Sequence, residues 1–420
     1  MAKHYGTGQL RLDGRRLWAR AGMPRHGVRL LVFISLLLGC TGIVAPGAAQ
    51  ASPLNTPGST WTIEPTPNPA GAGVNVLSAV SCGSRRGCMA VGSYAANLAG
   101  SPSALAERWN GKTWRIQPAA KPEGATGSGF FGVSCASANA CTAVGSTTRN
   151  GGRSSMNLAE AWNGTGWRVQ AVPTPEGATD SALYAVSCTS RRACTAVGHY
   201  GNAAGLVRAV VERMNGKAWS VQPIPRPSKL TWLYGVSCST ARACTAVGYQ
   251  SNGTGDAQPF AEAWNGRKWR VQAIPLPQGA PGAALSAVSC TSPDACTATG
   301  TALDVSSPTL AVRWNGKLWR LQPTPNPANA HESPTPATLD GVSCASARTC
   351  TASGEYSPSG LGAYFVEAWN GRNWRLQGTP VPAGFVHGTL FGMSCHRGRC
   401  TAVGGWTGGA LLQASLAMAN

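Results

Sequence analysis

The feature that decides the fold is a motif seen at residues 133–145, which read VSCASANACTAVG. Two apolar segments of strand length flank a pair of cysteines that enclose a short turn. The first cysteine of the pair recurs after 53, 53, 50, 52, 54 and 51 residues, so the chain repeats a unit of about 52 residues seven times. The pairs are Cys82 and Cys88, Cys135 and Cys141, Cys188 and Cys194, Cys238 and Cys244, Cys290 and Cys296, Cys344 and Cys350, and Cys395 and Cys400.

Each repeat contains four apolar or alternating segments separated by turn residues. Examples, in their order within a repeat, are residues 77–82, 141–145, 159–162 and 167–170. The chain also has 53 Gly and 29 Pro but only 12% charged residues, which is typical of many short strands and turns. The sequence therefore predicts an all-β protein, a seven-bladed β-propeller over residues 52–420 with four antiparallel strands per blade.

An Asn-Gly pair follows the third segment in six repeats, as at Asn163 and Gly164. Both residues tolerate the positive φ of a tight hairpin, so we expect the third and fourth segments to pair. The cysteine pair brackets the reversal from the first segment to the second, where a disulfide would hold one end of a hairpin.

The repeats begin and end out of phase. Residues 60–65 form an isolated fourth segment, and residues 411–419 form a third segment that no fourth segment follows. We therefore expect the N-terminal strand to pair with the C-terminal blade and close the ring, which removes two free sheet edges. An open solenoid would instead need polar capping repeats, and none is visible in the sequence.

Two chemistries are open to the paired cysteines. A structural zinc site usually takes four Cys or His ligands, and no His lies at a fixed offset from the pairs. Local disulfides are the favoured interpretation, because paired thiols persist as disulfides in an oxidising compartment. The sequence thus predicts seven disulfides, no metal site and no cofactor.

Residues 1–51 are interpreted as a signal peptide. A basic stretch leads into the apolar run at residues 30–44, which is short for a membrane span. Residues 49–51, Ala-Gln-Ala, then provide the small-x-small pattern for cleavage before Ser52. The favoured localisation is therefore secreted, outside the cell.

Two other interpretations of this segment remain open. A normal signal peptide could begin at Met23, which would make residues 1–22 a start-site extension. Residues 37–40, Leu-Leu-Gly-Cys, resemble a bacterial lipobox, in which a lipid on Cys40 would anchor the protein to the outer surface of the membrane.

The order of segments, with a Trp-and-Pro strand, an apolar strand, a Val-Gly strand and an aromatic strand, resembles the kelch repeat of kelch and galactose-oxidase-like propellers. The resemblance covers nearly all of residues 58–420, but the double glycine of kelch occurs only at Gly404 and Gly405. The Asn-Gly-x-x-Trp hairpin is similar to the Asp-box of sialidase-type propellers, with Asn110 and Asn163 where that motif has Asp. The Cys-pair and Trp-Asn-Gly repeats are also similar to those of uncharacterised secreted actinobacterial proteins. The resemblance implies the architecture and assigns no function.

Tryptophan and glutamate recur at fixed positions of the repeat. The regularity of the tryptophans indicates packing between neighbouring blades rather than ligand stacking. The glutamates lie two residues before the third-segment Trp, or before Met214 in one repeat, and are expected to pair across strands with arginines of the fourth segment. The glutamates are Glu107, Glu160, Glu212, Glu262 and Glu367, and the arginines are Arg115, Arg168, Arg270 and Arg375.

The connections after the second and fourth segments vary in length and sequence, and both kinds emerge on one face of a propeller. They carry aromatic residues that can stack on sugar rings or grip a peptide, with the alternative that they simply cover strand ends. The predicted ligand-binding residues are Tyr94, Tyr200, Trp232, Tyr234, Tyr249, Tyr356 and Trp406.

The chain is basic, with 35 Lys and Arg against 16 Asp and Glu. Many cations lie in the turns between the first and second segments and between the third and fourth segments. These turns should share the opposite face of the propeller, where the cations would hold an anionic polymer or lipid surface. The alternative is that they only keep that face soluble. The cations are Arg85, Arg86, Lys112, Arg191, Arg192, Lys217, Arg242, Arg267, Lys268, Lys317, Arg348, Arg372, Arg397 and Arg399.

These features together predict an extracellular binding module that recognises a cell-envelope glycan, polymer or protein. The runner-up is a propeller enzyme of the hydrolase or oxidase type acting on carbohydrate, but no catalytic set can be assembled by spacing. Nucleic acid is not expected as a partner, despite the positive charge of the chain, because export would separate the protein from the nucleic acid of the cell. The protein is expected to be a monomer that meets a membrane only through a lipid at Cys40.

Overall fold

In the computed structural model every regular element of the described residues is a β-strand. The described residues are 61–149, 154–225, 228, 230–251, 257–303, 308–328, 330, 337–357, 362–408 and 411–420. Among them, no helix is long and apolar enough to cross a membrane. The predicted signal peptide and the lipobox at Cys40 lie outside the described residues, so both stay predictions.

The strands follow the four-segment pattern of the sequence. They are β1 (Thr62–Glu64), β2 (Val74–Ser84), β3 (Gly87–Ala95), β4 (Ser103–Trp109), β5 (Trp114–Ile116), β6 (Gly127–Ser137), β7 (Ala140–Arg149), β8 (Ser154–Trp162), β9 (Trp167–Gln170), β10 (Ala178–Ser190), β11 (Ala193–Asn202), β12 (Val207–Met214), β13 (Trp219–Val221), β14 (Leu230–Thr240), β15 (Ala243–Ser251), β16 (Gln258–Trp264), β17 (Trp269–Gln272), β18 (Ala283–Ser292), β19 (Ala295–Ala302), β20 (Thr309–Trp314), β21 (Trp319–Gln322), β22 (Thr338–Ser346), β23 (Thr349–Tyr356), β24 (Ala363–Trp369), β25 (Trp374–Gln377), β26 (Phe385–His396), β27 (Arg399–Gly408) and β28 (Leu411–Ala419).

Four antiparallel strands in sequence order make one sheet in each of the second to sixth repeats, as in β6-β7-β8-β9. An eight-stranded sheet combines β2-β3-β4-β5 with β26-β27-β28 and β1, and the parallel residue pair Val74 and Gln413 joins its two halves. Repeated four-stranded antiparallel sheets of this kind are typical of a β-propeller.

The N-terminal strand lies beside the C-terminal one. Strand β1 pairs antiparallel with β28, with Thr62 opposite Ala419 and Glu64 opposite Ala417. The hydroxyl of Thr62 also donates a hydrogen bond to the Ala419 carbonyl, at 3.2 Å. The out-of-phase ends of the sequence therefore meet as a strand pair.

All seven predicted disulfides are present, and each links two residues directly opposite each other on the first and second strands of a repeat. The turn between the third and fourth strands differs from the expectation. Gly111 has φ +95°, but Arg397 is the one described non-glycine residue with positive φ, so Asn110 does not adopt it. Asn110 instead accepts the N–H groups of Lys112 and Thr113 on its side-chain oxygen, both at 2.9 Å, and caps a four-residue turn.

A serine immediately before the first cysteine of each pair connects neighbouring repeats. The N–H of Cys135 donates to Oγ of Ser81 in the preceding repeat, and the same bond recurs at every junction at 2.9 to 3.0 Å. At the junction between the last and first repeats, Cys82 donates to Ser394. The first strands of all seven repeats are thus joined in sequence, the last to the first.

Removal of one of these hydroxyls is expected to destabilise the protein. Ser237→Ala leaves the Cys290 N–H, now 2.9 Å from Oγ, without its acceptor, and the loss should be about 1 kcal/mol in urea unfolding. Ser239→Ala is the matched control on the same strand, because its buried Oγ has no partner among the described residues. Equal losses in the two variants would contradict the role of the Ser–Cys bond.

The glycine of the recurring Val-Gly pair is required by a close approach of backbones. A Cβ on Gly248 would lie 2.0 Å from the carbonyl oxygen of Trp232 on the first strand, so no larger residue fits there. The register of the first strand shifts next to this contact, between Leu233 and Gly235, which turns Tyr234 out of the regular alternation.

Candidate functional site

The structure buries several of the aromatic residues predicted to bind a ligand. Trp232, Tyr234, Tyr249 and Tyr356 are 3%, 3%, 9% and 5% exposed, so little of each ring is available at the surface. Tyr94, Tyr200 and Trp406 are half-buried. A ligand role for the seven residues stays a prediction.

The reason for the burial is mutual stacking. The Trp232 and Tyr249 rings stack with centroids 4.7 Å apart, and Tyr234 lies 5.1 Å from Tyr184 of the preceding repeat. Tyr184 in turn stacks on His199 at 5.4 Å. Aromatic pairs of this kind stabilise a core, so the cluster is first of all a packing feature of the third and fourth repeats.

The recurring tryptophans behave as predicted. Trp162 and Trp167 of the second repeat are buried in one cluster with Met89 and Val91 of the first repeat. The Nε1 group of Trp219 donates to Gln170 of the preceding repeat at 3.1 Å, and Trp319 bonds Gln272 likewise at 3.0 Å. The tryptophans therefore pack neighbouring repeats together.

The basic side chains lie in the turns where the sequence placed them. We call the side formed by the turns between first and second strands and between third and fourth strands the turn face. In the first repeat a Cβ on Gly111 would lie 3.1 Å from the Cβ of Arg86, so the two kinds of turn pack directly on each other. Arg192 approaches Gly216 in the same way, at 3.3 Å. The exposed cations of this face include Arg85, Arg86, Lys112, Arg191, Arg192, Arg242, Arg267, Lys268 and Arg348.

The cations are unevenly distributed over the turn face. The turns of the second repeat have Asn139 and Thr165 at the positions that hold Arg192 and Lys217 in the third repeat. In the fifth repeat the exposed Asp294 stands beside the Asn-Gly turn, with its Oδ1 2.9 Å from where a Cβ of Gly316 would be. Apart from Lys317, which shares the fifth repeat with Asp294, the cations form two groups, in the third and fourth repeats and in the sixth, seventh and first.

Some arginines of this region are tied into the fold. Arg85 donates two hydrogen bonds to the carbonyl oxygen of Arg397 in the last repeat, at 2.7 and 3.0 Å. Arg399 forms an ion pair with Glu64 of β1. Arg213 lies over the ring of Trp264 in the next repeat at 4.4 Å. Such arginines hold neighbouring repeats together, whereas Arg86, Arg191 and Arg192 are exposed.

The expected pairing of the repeated glutamates with arginines is wrong. Glu160 lies opposite Val169, and Arg168 lies opposite Ala161. Because consecutive residues of a strand point to opposite faces, the glutamate and the arginine are on different sides of the sheet. All five glutamates are fully buried.

The linker that precedes each repeat determines whether the buried glutamate of that repeat receives a backbone hydrogen bond. The N–H of Ala120 donates to Glu160 at 2.9 Å. In the linkers that precede Glu262 and Glu367 the equivalent residues are Pro225 and Pro325, which have no N–H. Both oxygens of Glu262 and of Glu367 are buried without a hydrogen-bond partner among the described residues.

Burial favours the neutral form of these carboxyl groups. Desolvation raises the pKa of Glu107 and of Glu262 to about 8, and that of Glu367 to about 9. The pKa of Glu160 rises only to about 7, because the Ala120 N–H stabilises the charged form. At neutral pH Glu107, Glu262 and Glu367 therefore carry little negative charge, and Glu160 carries more.

A separate carboxyl pair lies in the sixth repeat. Glu355 on β23 is opposite Thr338, two residues before Asp340. Burial, together with the nearby Asp340, raises the pKa of Glu355 to about 8. Among the described residues no group of three or more His, Cys, Asp or Glu is arranged to hold a metal ion. The expectation that the chain is not an enzyme stays a prediction.

No family model and no curated protein sequence matches the chain. Solved structures that match include YCF48 bound to D1 peptide, with 12% identity over 87% of this chain and 99% of that one and a TM-score of 0.49. A fucose-recognising six-bladed propeller lectin of Aleuria aurantia matches with 12% identity over 76% and 100%, TM-score 0.45. Trypanosoma rangeli sialidase in complex with sialic acid matches with 10% identity over 87% and 59%, TM-score 0.46. Identities this low assign the chain to no family, and the resemblance to kelch repeats stays a prediction.

Proposed function

We propose that the chain is an exported seven-bladed propeller that holds an anionic polymer of the cell envelope on its turn face. The observation that carries the proposal is the combination of exposed cations on that face with repeated glutamates that are buried away from it. A surface with one sign of charge attracts a polyanion through many weak contacts.

Three contacts of β1 support a closed ring of seven blades. The strand pairs with β28 of the last repeat. Its Glu64 forms the ion pair with Arg399 of that repeat and accepts a hydrogen bond from Trp114 of the first repeat, at 3.0 Å. Strand β1 thus fills the place of the fourth strand that the last repeat lacks, and the ring has no free edge between first and last blades.

The disulfides support export. Seven disulfides indicate an oxidising compartment, because thiols in the cytosol are kept reduced. Cleavage before Ser52 would release the protein as a secreted one. Attachment of a lipid to Cys40 would instead anchor it to the outer surface of the membrane. Either product meets the cell envelope.

A polymer fits the turn face better than a lipid surface does. Proteins that lie on lipid insert apolar side chains between the headgroups. Leu318, which is 47% exposed, is the large apolar side chain exposed in the described turns of this face. Other repeats have Thr113, Lys268 and Asn373 at the position of Leu318. We therefore take the partner to be a hydrated polyanion.

Neutralisation of one cation group tests the proposal. Arg191→Gln, Arg192→Gln and Arg242→Gln in one variant remove three exposed charges from the third and fourth repeats. At roughly 1 kcal/mol per cation near an anionic surface, affinity for immobilised polyphosphate or polygalacturonate should fall roughly 100-fold. Arg85 is left unchanged because it also holds Arg397.

The matched control changes the net charge equally at another place. Ala138→Glu, Asn139→Glu and Thr165→Glu add three negative charges to the cation-free turns of the second repeat, and should weaken binding much less. Binding of the parent should also fall steeply from low to physiological salt. If both variants bind like the parent, or if salt has no effect, the turn face only solvates the protein.

A further inference from the structure

A groove lies at the junction of the first and second repeats, at the opposite ends of the strands from the turn face. Its volume is about 420 Å³, within the range of small-molecule sites. The residues that line it include Tyr94, Ser103, Gln117, Ala120, Lys121 and Ser128. Nothing in the proposed function uses this site.

The groove exists at a place where the repeat departs from its own pattern. Ala120 stands where the six other linkers have proline: Pro67, Pro173, Pro225, Pro275, Pro325 and Pro380. The substitution removes the proline ring and frees an N–H, which bonds Glu160 at 2.9 Å. The neighbouring Lys121 is exposed, and no residue of the described chain forms an ion pair with it.

The polar groups of the groove are complementary to a sugar. The Gln117 amide nitrogen already donates to the carbonyl oxygens of Arg115 and Ile116, at 3.3 and 3.1 Å, which leaves its oxygen to accept from a hydroxyl. The Ser128 hydroxyl oxygen accepts the Ala104 N–H at 3.2 Å, and its proton remains available to donate. The half-buried Tyr94 supplies an aromatic wall.

We propose that this groove binds one uronic-acid residue, with the pyranose ring against Tyr94 and the carboxylate at Lys121. The ammonium group offers three donors to an anionic oxygen, and charge-assisted bonds of this kind are the stronger ones. A neutral sugar would leave that cation without its partner. The site is independent of the turn face, because a single sugar residue is too short to reach both.

The probe is methyl glucuronide, compared with the matched neutral methyl glucoside, and the readout is saturation-transfer NMR with titration. Methyl glucuronide is expected to bind the parent protein. Methyl glucoside is expected to bind it roughly tenfold more weakly or not at all. Lys121→Gln should weaken glucuronide binding roughly tenfold. Tyr94→Ala should abolish binding, and Tyr94→Phe should restore it. Gln250→Ala, at the same strand position of the fourth repeat, is the control and should bind like the parent.

Ala120→Pro gives a second test, since it restores the residue of the six other linkers. We expect it to fill the groove and weaken glucuronide binding while the melting curve stays cooperative. The turn-face variant Arg191→Gln, Arg192→Gln, Arg242→Gln should bind glucuronide like the parent, which separates this proposal from the proposed function. Absence of saturation transfer to methyl glucuronide, equal affinity for the glucoside, or full binding by Tyr94→Ala would overturn the proposal.

Discussion

A mature chain that begins at Pro67 instead of Ser52 is expected to lose its cooperative thermal unfolding and to aggregate. The truncation removes β1 and the preceding Trp61, which is 3% exposed in a cluster with Leu416 and Met418 of the last repeat. It also removes the Glu64 partner of Arg399. An unpaired β28 then presents a free sheet edge, which is prone to pair with other chains.

The control for this truncation is a chain that begins at Trp61. It keeps every described contact of β1 and should melt like the chain that begins at Ser52 in differential scanning calorimetry. A parental melting curve from the chain that begins at Pro67 would rule out the closed ring, because the first and last repeats would then be independent of β1.

The second large effect concerns pH. Burial raises the folded-state pKa of Glu262 to about 8, from the ordinary value of 4.5 for a glutamate. A group whose pKa is higher in the folded protein than in the unfolded chain contributes its full stabilisation of the fold at pH values below the unfolded-state pKa. That contribution is lost as pH rises toward the folded-state pKa. We therefore expect Glu262 to lower the free energy of unfolding as pH rises from about 4.5 to 8, with a limiting slope of about 1.4 kcal/mol per pH unit.

Glu262→Val should remove its share of this pH dependence and stabilise the protein at pH 8. The fifth and seventh repeats already carry Val312 and Met418 at the equivalent register, so an apolar residue fits the site. Glu160→Val is the contrasting control, because it deprives the Ala120 N–H of its acceptor. Urea unfolding between pH 5 and pH 8 measures the effect, and parallel pH profiles for the parent and Glu262→Val would contradict it.

The repeat pattern predicted the strands because cysteine, Asn-Gly and tryptophan mark local structure. A cysteine pair five or six residues apart in sequence, as at Cys82 and Cys88, fits only a short hairpin, and the terminal half-repeats indicated which strands meet. The serine of the recurring Val-Ser-Cys is visible in the sequence, but its bond to the Cys N–H was missed. Period and spacing do not show which hydroxyl accepts a hydrogen bond from the next repeat.

The candidate site was less predictable because it depends on which face a side chain occupies. The glutamates were expected to meet Arg168 and its equivalents, but the register places the two on opposite faces of the sheet. Trp232 and Tyr249 are buried because they lie opposite each other on neighbouring strands and their rings stack, and the spacing of the segments alone does not give this register. The groove at Ala120 could have been found from the one linker that lacks a proline six residues after its tryptophan.

The Ser–Cys bonds make each junction asymmetric in the same sense. Every repeat offers the cysteine N–H to the repeat before it and the serine hydroxyl to the repeat after it, as Ser81 and Cys135 show. Such a head-to-tail contact closes into a ring wherever the rotation per unit completes a full turn. Duplication or loss of one unit in the gene would therefore need no new interface chemistry, and the number of blades would be decided by the angle between neighbouring sheets alone.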